Sequence, residues 1–304
     1  MLVVLGSVNA DLLFKVQKLP APGETVLCPS YTMAPGGKGS NQAAAAAKAG
    51  ADTRFIGHLG DDAYGPVVRE LLLEAGIDCT GLEVSSKPTA IAVIGVDEAG
   101  ENAIIVASGA NLDTAADQVP DGLLGPSTTV LCQNEIRMAE TAAILARGKA
   151  AGAMTILNLA PAGPLEPEVL DTLDVLVVNE IEARMAAGST KGEPLDLARR
   201  LAKSHRLTCV VTQGAAGALA VGPDGGWRVG SLEIEPVDTT GAGDAFVGVL
   251  AASLDAGLPL PEALRRASVA AGLACLAIGA QSAQPTAKEI DARLENLDPP
   301  EPLD

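Results

Sequence analysis

The residues best placed to do chemistry in this 304-residue chain are 238–246, Asp-Thr-Thr-Gly-Ala-Gly-Asp-Ala-Phe. Gly241 and Gly243 precede a run with helical spacing, Phe246, Val249, Leu250, Ser253 and Leu254, and Gly257 and Pro259 supply stop signals. This predicts a glycine turn entering a helix, with Asp244 in the first turn. Unused N–H groups in such a turn cradle an anion, and the helix dipole adds to the attraction. A carboxylate beside an anion cradle suits a base. It takes a proton from an attacking hydroxyl while the N–H groups hold developing negative charge. The plainer reading is an acidic residue at a helix start, which the dipole favours anyway. Spacing alone leaves the two even.

Four further segments carry polar groups at places where open α/β sheets bind ligands. Asn9 and Asp11 follow an apolar strand pattern at Leu2–Leu5, and Asp and Asn suit vicinal sugar hydroxyls. The plainer reading is a polar turn. Gly36-Gly-Lys-Gly-Ser-Asn-Gln42 precedes an Ala-rich helix pattern. It is not a P-loop, because that motif needs Gly at Thr32 and Ser or Thr at Gly39. It reads as a close-approach turn, with Lys38 and Asn41 offering donors. Asn179 and Glu182 follow another buried strand; oxygen ligands there suit Mg²⁺, and an ordinary Asn helix cap is the alternative. Thr212-Gln-Gly-Ala-Ala-Gly217 is glycine-rich enough to accept a nucleotide, and the chain has no GxGxxG dinucleotide fingerprint.

The elements that must position these residues follow from periodicity. Leu2–Leu5, 54–56, 129–132, 155–159, 175–178 and 209–212 read as buried strands. Helices are expected at 41–49, 65–75, 139–151, 181–187 and 195–203. Such alternation implies an α/β fold, a parallel sheet with helices on both faces. Segments 10–35 and 88–108 alternate like strands and contain no helix pattern. They predict a small separate sheet of about four strands, inserted as a lid on a domain spanning 1–298. The acidic, proline-rich tail at 299–304 is expected to be flexible.

Composition narrows the partners. Thirty-eight acidic residues against 21 basic ones give a net charge of −17. That argues against nucleic acid, which demands clustered Lys and Arg. No segment reads as a membrane span, and the N-terminus runs straight into a strand without a basic leader. The five cysteines are scattered with no CxxC and read as reduced thiols of a cytoplasmic protein, with no zinc site. His58 and His205 read as surface or packing residues.

Taken together, these segments resemble the ribokinase-like (PfkB) carbohydrate kinases over nearly the whole chain, from Gly6-Ser-Val-Asn-Ala-Asp11 to Gly279-Ala-Gln-Ser282. The two most specific motifs are residues 36–42 and 238–246. The resemblance implies a three-layer fold with a β-sheet lid and transfer of phosphate from ATP to the 5-hydroxyl of ribose. It implies Asp244 as the base, with Gly241, Ala242 and Gly243 as the anion hole. Asn9, Asp11, Gly37, Lys38, Asn41 and Glu135 match sugar-holding positions. Asn179 and Glu182 match a motif tied to Mg²⁺ and phosphate. Thr212, Gly214 and Gly217 match the nucleotide turn, Gly243 borders the nucleotide, and Ser268 falls near the adenine position. Asp238, Thr240, Ala274, Ala277, Gly279 and Ala283 match a site for an activating K⁺. A homodimer through the lid is implied as well.

The chain departs from the family pattern at two points. Ala283 stands where the cation loop sometimes has Ser, and Asn134 stands where an apolar residue commonly precedes the Glu. Deoxyribose, fructose and nucleosides are alternative substrates, and a non-catalytic sugar-binding protein is the alternative from another class.

Overall fold

The computed structural model describes residues 1–303. Its strands along the chain are β1 (Leu2–Leu5), β2 (Asn9–Lys15), β3 (Tyr31–Gly36), β4 (Thr53–Gly60), β5 (Asp78–Ser85), β6 (Ala90–Val96) and β7 (Asn102–Ala107). They continue with β8 (Thr129–Gln133), β9 (Met154–Asn158), β10 (Val175–Asn179), β11 (Thr208–Thr212), β12 (Ala218–Gly222), β13 (Gly225–Val229) and β14 (Glu301–Leu303). The helices are α1 (Lys38–Lys48), α2 (Gly65–Glu74), α3 (Met138–Ala150), α4 (Pro167–Leu170) and α5 (Glu180–Ala186). After them come α6 (Pro194–His205), α7 (Ala242–Asp255), α8 (Leu260–Ala274) and α9 (Ala287–Arg293).

The main sheet has ten strands in the order β14-β13-β12-β11-β10-β9-β8-β1-β4-β5. From β11 to β5 every pairing is parallel, while β12, β13 and β14 are added antiparallel at one edge. The apolar runs exist because both faces are covered. Alternate residues of β1 point to opposite layers. Leu2 and Val4 join the cluster that includes α1, α7 and α8 residues, and Val3 and Leu5 join the one that includes α3 and α6 residues. β1 pairs with β4 on one side and β8 on the other, so the winding reverses there. A crevice at the carboxyl ends of the strands is the physical result.

The second sheet has the order β3-β2-β6-β7 and is built from the two segments that lacked helix patterns. It joins the main domain directly. β2 begins at Asn9, opposite Gly36, so the sequence motifs at 9–11 and 36–42 are brought together by strand register. Phe14 and Tyr31 stack with ring centroids 5.4 Å apart. β7 is exposed along its whole length, with Ile104, Ile105 and Val106 all at least half open to solvent.

The tail differs from expectation. Residues 301–303 are not loose but pair with β13, Gly226 opposite Leu303 and Arg228 opposite Glu301. An otherwise open sheet edge outweighs the disorder-favouring composition; Asp304 lies outside the described residues. All five cysteines are free thiols, four of them buried. His58 is buried with Glu83 3.7 Å away, and His205 pairs with Asp171 at 2.7 Å. Among the described residues no helix is long and apolar enough to cross a membrane.

Candidate active site

Asp244 sits where the spacing placed it, in the first turn of α7, whose N-cap is Gly241. Gly241 has φ 77, and a Cβ there would lie 2.8 Å from Ala280 Cα. Only glycine lets the turn pack this closely on the 279–284 loop. The Ala242 N–H donates to Thr239 O at 3.2 Å. The N–H groups of Gly241, Gly243 and Asp244 have no backbone acceptor among the described residues. These three are the unspent backbone donors of the turn, while the Ala242 N–H is used within it.

The Asp244 carboxylate is only 7% exposed, and an amide donates to each of its oxygens. Asn41 Nδ2 donates to Oδ2 at 3.0 Å, and Gln42 Nε2 donates to Oδ1 at 2.9 Å. Behind them, Gln281 Nε2 donates to Asn41 Oδ1 at 3.0 Å, and Gln133 Nε2 donates to Gln42 Oε1 at 2.8 Å. Gln42 also donates to Asn158 Oδ1 at 2.9 Å. Gln42, Gln133, Asn158 and Gln281 were not singled out from sequence. A buried glutamine in an alanine-rich helix was the one available signal.

On the small-sheet side the carboxylates gather. Glu135 Oε2 accepts from Ser7 Oγ at 2.6 Å and from the Lys38 N–H at 2.8 Å, and Ser7 Oγ also accepts from Gly39 N–H. Gly37, with φ 90, caps α1, and the N–H groups of its first turn face Glu135 and Ser7. Asp11 lies over Gly36, and its Oδ1 is buried without a partner. Burial, then the charges of Glu135 and Asp244, push the Asp11 pKa up to about 7. Asn9 Oδ1 accepts from Asn111 Nδ2 at 2.9 Å, which leaves the Asn9 amide N–H groups as donors. Asn134 turns away and donates to Pro161 O at 2.8 Å.

A cavity of about 170 Å³ lies next to Asp244, lined by Lys38, Asn158, Asn179, Glu182, Thr212 and Gly243 among others. Lys38 thus lines the same cavity as Glu182. Asn179 and Glu182 form a reciprocal cap. Asn179 Oδ1 accepts from the Ile181 and Glu182 N–H groups, and Glu182 Oε2 accepts from the Asn179 N–H at 2.7 Å. The capping reading of this motif is therefore realised, and the same two residues also line the cavity. Burial raises the Glu182 pKa, and the Lys38 charge opposes that.

Thr212 and Gly243 are shared with a second cleft of about 410 Å³. It is lined by Gly214, Gly217, Ile234, Pro236, Phe246, Ser268, Ala271 and Cys275 and is mainly apolar. The Ser268 hydroxyl donates to Gly230 O, so it braces the cleft wall. A larger cavity of about 670 Å³ adjoins it between β13 and the tail, but it contains neither Asp244 nor any motif glycine.

Asp238 and Gly279 meet as expected of a shared loop site. Asp238 Oδ2 accepts from the Gly279 N–H at 3.0 Å and Oδ1 from the Thr240 N–H at 2.9 Å. These bonds hold the Asp238 pKa below its ordinary value, against the opposing effect of burial. Ala274 is buried at the end of α8, Ala277 is exposed and Ala283 is half-buried. Among the described residues no cluster of three His, Cys, Asp or Glu side chains forms a metal centre.

A doubly wound α/β domain with a small β-sheet over its cleft, and a buried Asp on a glycine turn, defines the ribokinase-like class of fold. The chain belongs to the pfkB family of carbohydrate kinases, whose model matches residues 1–287. It is similar to the ribokinase of Haemophilus influenzae, at 33% identity over 97% of this chain and 98% of the relative. Its structure resembles a ribokinase of Thermotoga maritima with a TM-score of 0.90 at 32% identity, covering 97% of this chain and 99% of the other. It also resembles the Arabidopsis thaliana ribokinase solved with ribose and ATP, with a TM-score of 0.87 at 31% identity, covering 97% and 98%.

Proposed function

We propose that the protein phosphorylates D-ribose at its 5-hydroxyl, using ATP. The observation that carries this reading is the position of Asp244, which accepts from Asn41 and lines, with Lys38 and Glu182, a cavity that shares Thr212 and Gly243 with a mainly apolar cleft. The similarity to a relative solved with ribose and ATP supports both ligands. Asn9, Asp11, Asn41 and Glu135 pair the sugar hydroxyls. The base of ATP lies in the apolar cleft, with its phosphates over Gly214, Gly217 and Gly243.

In the reaction the sugar 5-hydroxyl oxygen bonds to the γ-phosphorus. The bond from that phosphorus to the bridging oxygen breaks, and ADP leaves. The hydroxyl proton passes to Asp244. The transition state is loose, so proton loss comes late and an ordinary carboxylate suffices as base. The N–H groups of Gly241, Gly243 and Asp244 face the charge that develops on the transferring group.

Glu182 uses Oε2 in the cap and keeps Oε1, which fits a Mg²⁺ held through its waters by Glu182, with Asn179, whose Oδ1 is taken by two N–H groups, fixing the Glu182 carboxylate. Magnesium, when bound, neutralises phosphate charge. A K⁺ beside Asp238 fits the loop that carries Thr240, Ala274, Ala277, Gly279 and Ala283, where main-chain carbonyls rather than carboxylates supply most ligands. It would stiffen the turn. Its test compares rates in KCl and in tetramethylammonium chloride of equal ionic strength, and equal rates would rule it out. The exposed apolar strand β7, with Ile104 54% and Ile105 72% open, supports a dimer packed lid on lid. A monomer mass by light scattering at micromolar concentration would remove it. Free thiols and an acidic surface suit a cytoplasmic setting.

Coupled ADP release across pentoses, hexoses and nucleosides tests the substrate. Ribose is expected to give the highest kcat/KM. A site built on hydroxyl pairing rejects an analogue lacking one by up to about 10⁴-fold. Equal turnover of 2-deoxyribose, fructose or adenosine would overturn the ribose assignment and leave the kinase standing.

A further inference from the structure

Two chains of buried amides converge on Asp244, and their direction is forced. A carboxylate only accepts hydrogen bonds, so Gln42 must present Nε2 to Asp244, not Oε1. Its second N–H then goes to Asn158 Oδ1, and Asn158 Nδ2 donates to Val177 O at 3.1 Å, another group that only accepts. Gln42 Oε1 is left to accept from Gln133 Nε2. The other chain runs from Gln281 through Asn41 to the second carboxylate oxygen. Each chain ends in a glutamine whose Oε1 is buried without any partner, Gln133 Oε1 and Gln281 Oε1.

Buried acceptors are rarely left unpaired, and each such group calls for an explanation. Here both orphans lie at the remote ends, and both inner ends donate to Asp244. Along each chain the donors run inward to Asp244, with side branches from Gln42 to Asn158 and from Gln281 to Ser40. Gln42 itself is fully buried and uses every hydrogen-bonding atom of its side chain.

We infer that Gln42 is a positioning residue for Asp244: through the Gln133→Gln42→Asp244 chain it fixes the plane of the carboxylate that takes the hydroxyl proton. The inference rests on the reading of Asp244 as base. Gln42 touches neither substrate, so its contribution is to kcat rather than to binding. Three charged groups also face Asp244. Lys38 and Glu182 line the same cavity, and Asp11 lies close enough for its charge to be felt. None of the three donates to the carboxylate, so the amides alone set its direction.

The test is Gln42→Met, nearly the same size but without donors, assayed with ribose and MgATP from pH 5.5 to 9. Misplacement of a reacting group by about 1 Å costs about 10²-fold, so a kcat loss of about 10- to 100-fold is expected. The KM values should stay within about threefold, because no ligand contact is removed. Loss of a donor to the ionised form also moves the acidic limb of the kcat profile to higher pH. A merely structural role would lower the active fraction, found by active-site titration, and leave that limb in place; that result overturns the inference. Gln133→Met removes only the remote donor and is expected to lower kcat about threefold with the same upward limb shift. Should Gln42→Met fail to fold, this variant decides, and an unchanged kcat and limb reject the inference. Asp244→Asn is run beside them. If it turns over normally, the base assignment itself has failed. If it is dead while both glutamine variants are normal, only the positioning role has.

Discussion

On the side of Asp244 that faces the small sheet, the wall is made of half-buried carboxylates and buried amides, most of whose partners are already in place. Glu135 is held by Ser7 and Lys38, Asn41 by Gln281, and Asn9 by Asn111. On the side that faces α8, the wall is Ile234, Pro236, Phe246, Ala271 and Cys275, with glycine backbone and few polar side chains. The first wall selects by direction, because an unpaired buried donor or acceptor costs about 1–3 kcal/mol. The second selects by shape and backbone contact, which tolerates variation in side chains. Substitutions on the two sides should therefore fail differently.

The residue between the two sides should show the largest effect. Asp244→Asn is nearly isosteric but cannot take a proton, so kcat should fall about 10²–10⁴-fold while calorimetric ribose affinity stays close to wild type. Turnover within a few-fold of wild type would refute the assignment. On the polar side, Glu135→Leu strands the Ser7 hydroxyl and the Lys38 N–H. Ribose KM should rise about 10- to 100-fold, with ATP KM unchanged, if each orphan costs the usual 1–3 kcal/mol. A matched rise in both KM values would mean that the two walls are not independent.

The opposite pattern should come from Gly217→Ala. Gly217 has φ 86, and an added Cβ would lie 2.1 Å from Val229 O. Backbone strain of about 1–3 kcal/mol predicts an ATP KM about tenfold higher or more, with ribose binding retained. Unchanged ATP binding would detach this turn from the nucleotide cleft.

A smaller, pH-dependent effect belongs to Asp11. Its folded pKa of about 7 stands above the ordinary 3.8, so the folded protein holds a proton that the unfolded chain has released. Stability of the ligand-free protein should therefore fall as pH rises from about 4 to 7 and then level off. Ribose needs the ionised acceptor, so its KM should fall several-fold between pH 6 and 8. Asp11→Asn should flatten both trends while weakening ribose binding. A variant that keeps the wild-type pH dependence would point to another group. The smallest change is expected from Ser268→Ala, which removes a brace to Gly230 and no ligand contact; both KM values should move by less than about threefold, the loss of one ordinary hydrogen bond.

Much of the frame was legible because burial on both faces writes itself as continuous apolar runs. β1 matches its expected span, Leu2–Leu5, and β8, β10 and β11 lie within a residue of theirs. The small sheet was legible as two segments that alternate without a helix pattern. Less visible were β12, β13 and β14, which are short antiparallel additions around Gly222 and Gly225, and α8, which starts at Leu260 directly after the proline taken as a stop. Proline is well placed just before or inside a helix start, so the same residue carries both signals.

The local chemistry of the site was set by the sequence itself. Asp244 in the first turn of a helix behind Gly241 follows from glycine conformation and helix periodicity, which act over a few residues. The joining of remote segments was decided by tertiary structure alone. Asn41 and Gln42 reach Asp244 across 203 and 202 residues, Gln133 meets Gln42 across 91, and Lys38 meets Glu135 across 97. Hydrogen bonds between residues so far apart leave no periodic trace in a chain. They form only because the sheet reverses its winding beside β1 and the register of β2 against β3 sets residues 9–11 against 34–36. For the same reason the bond from the Ala242 N–H to Thr239 O was not legible in the chain, since only the folded turn shows which N–H groups are already spent.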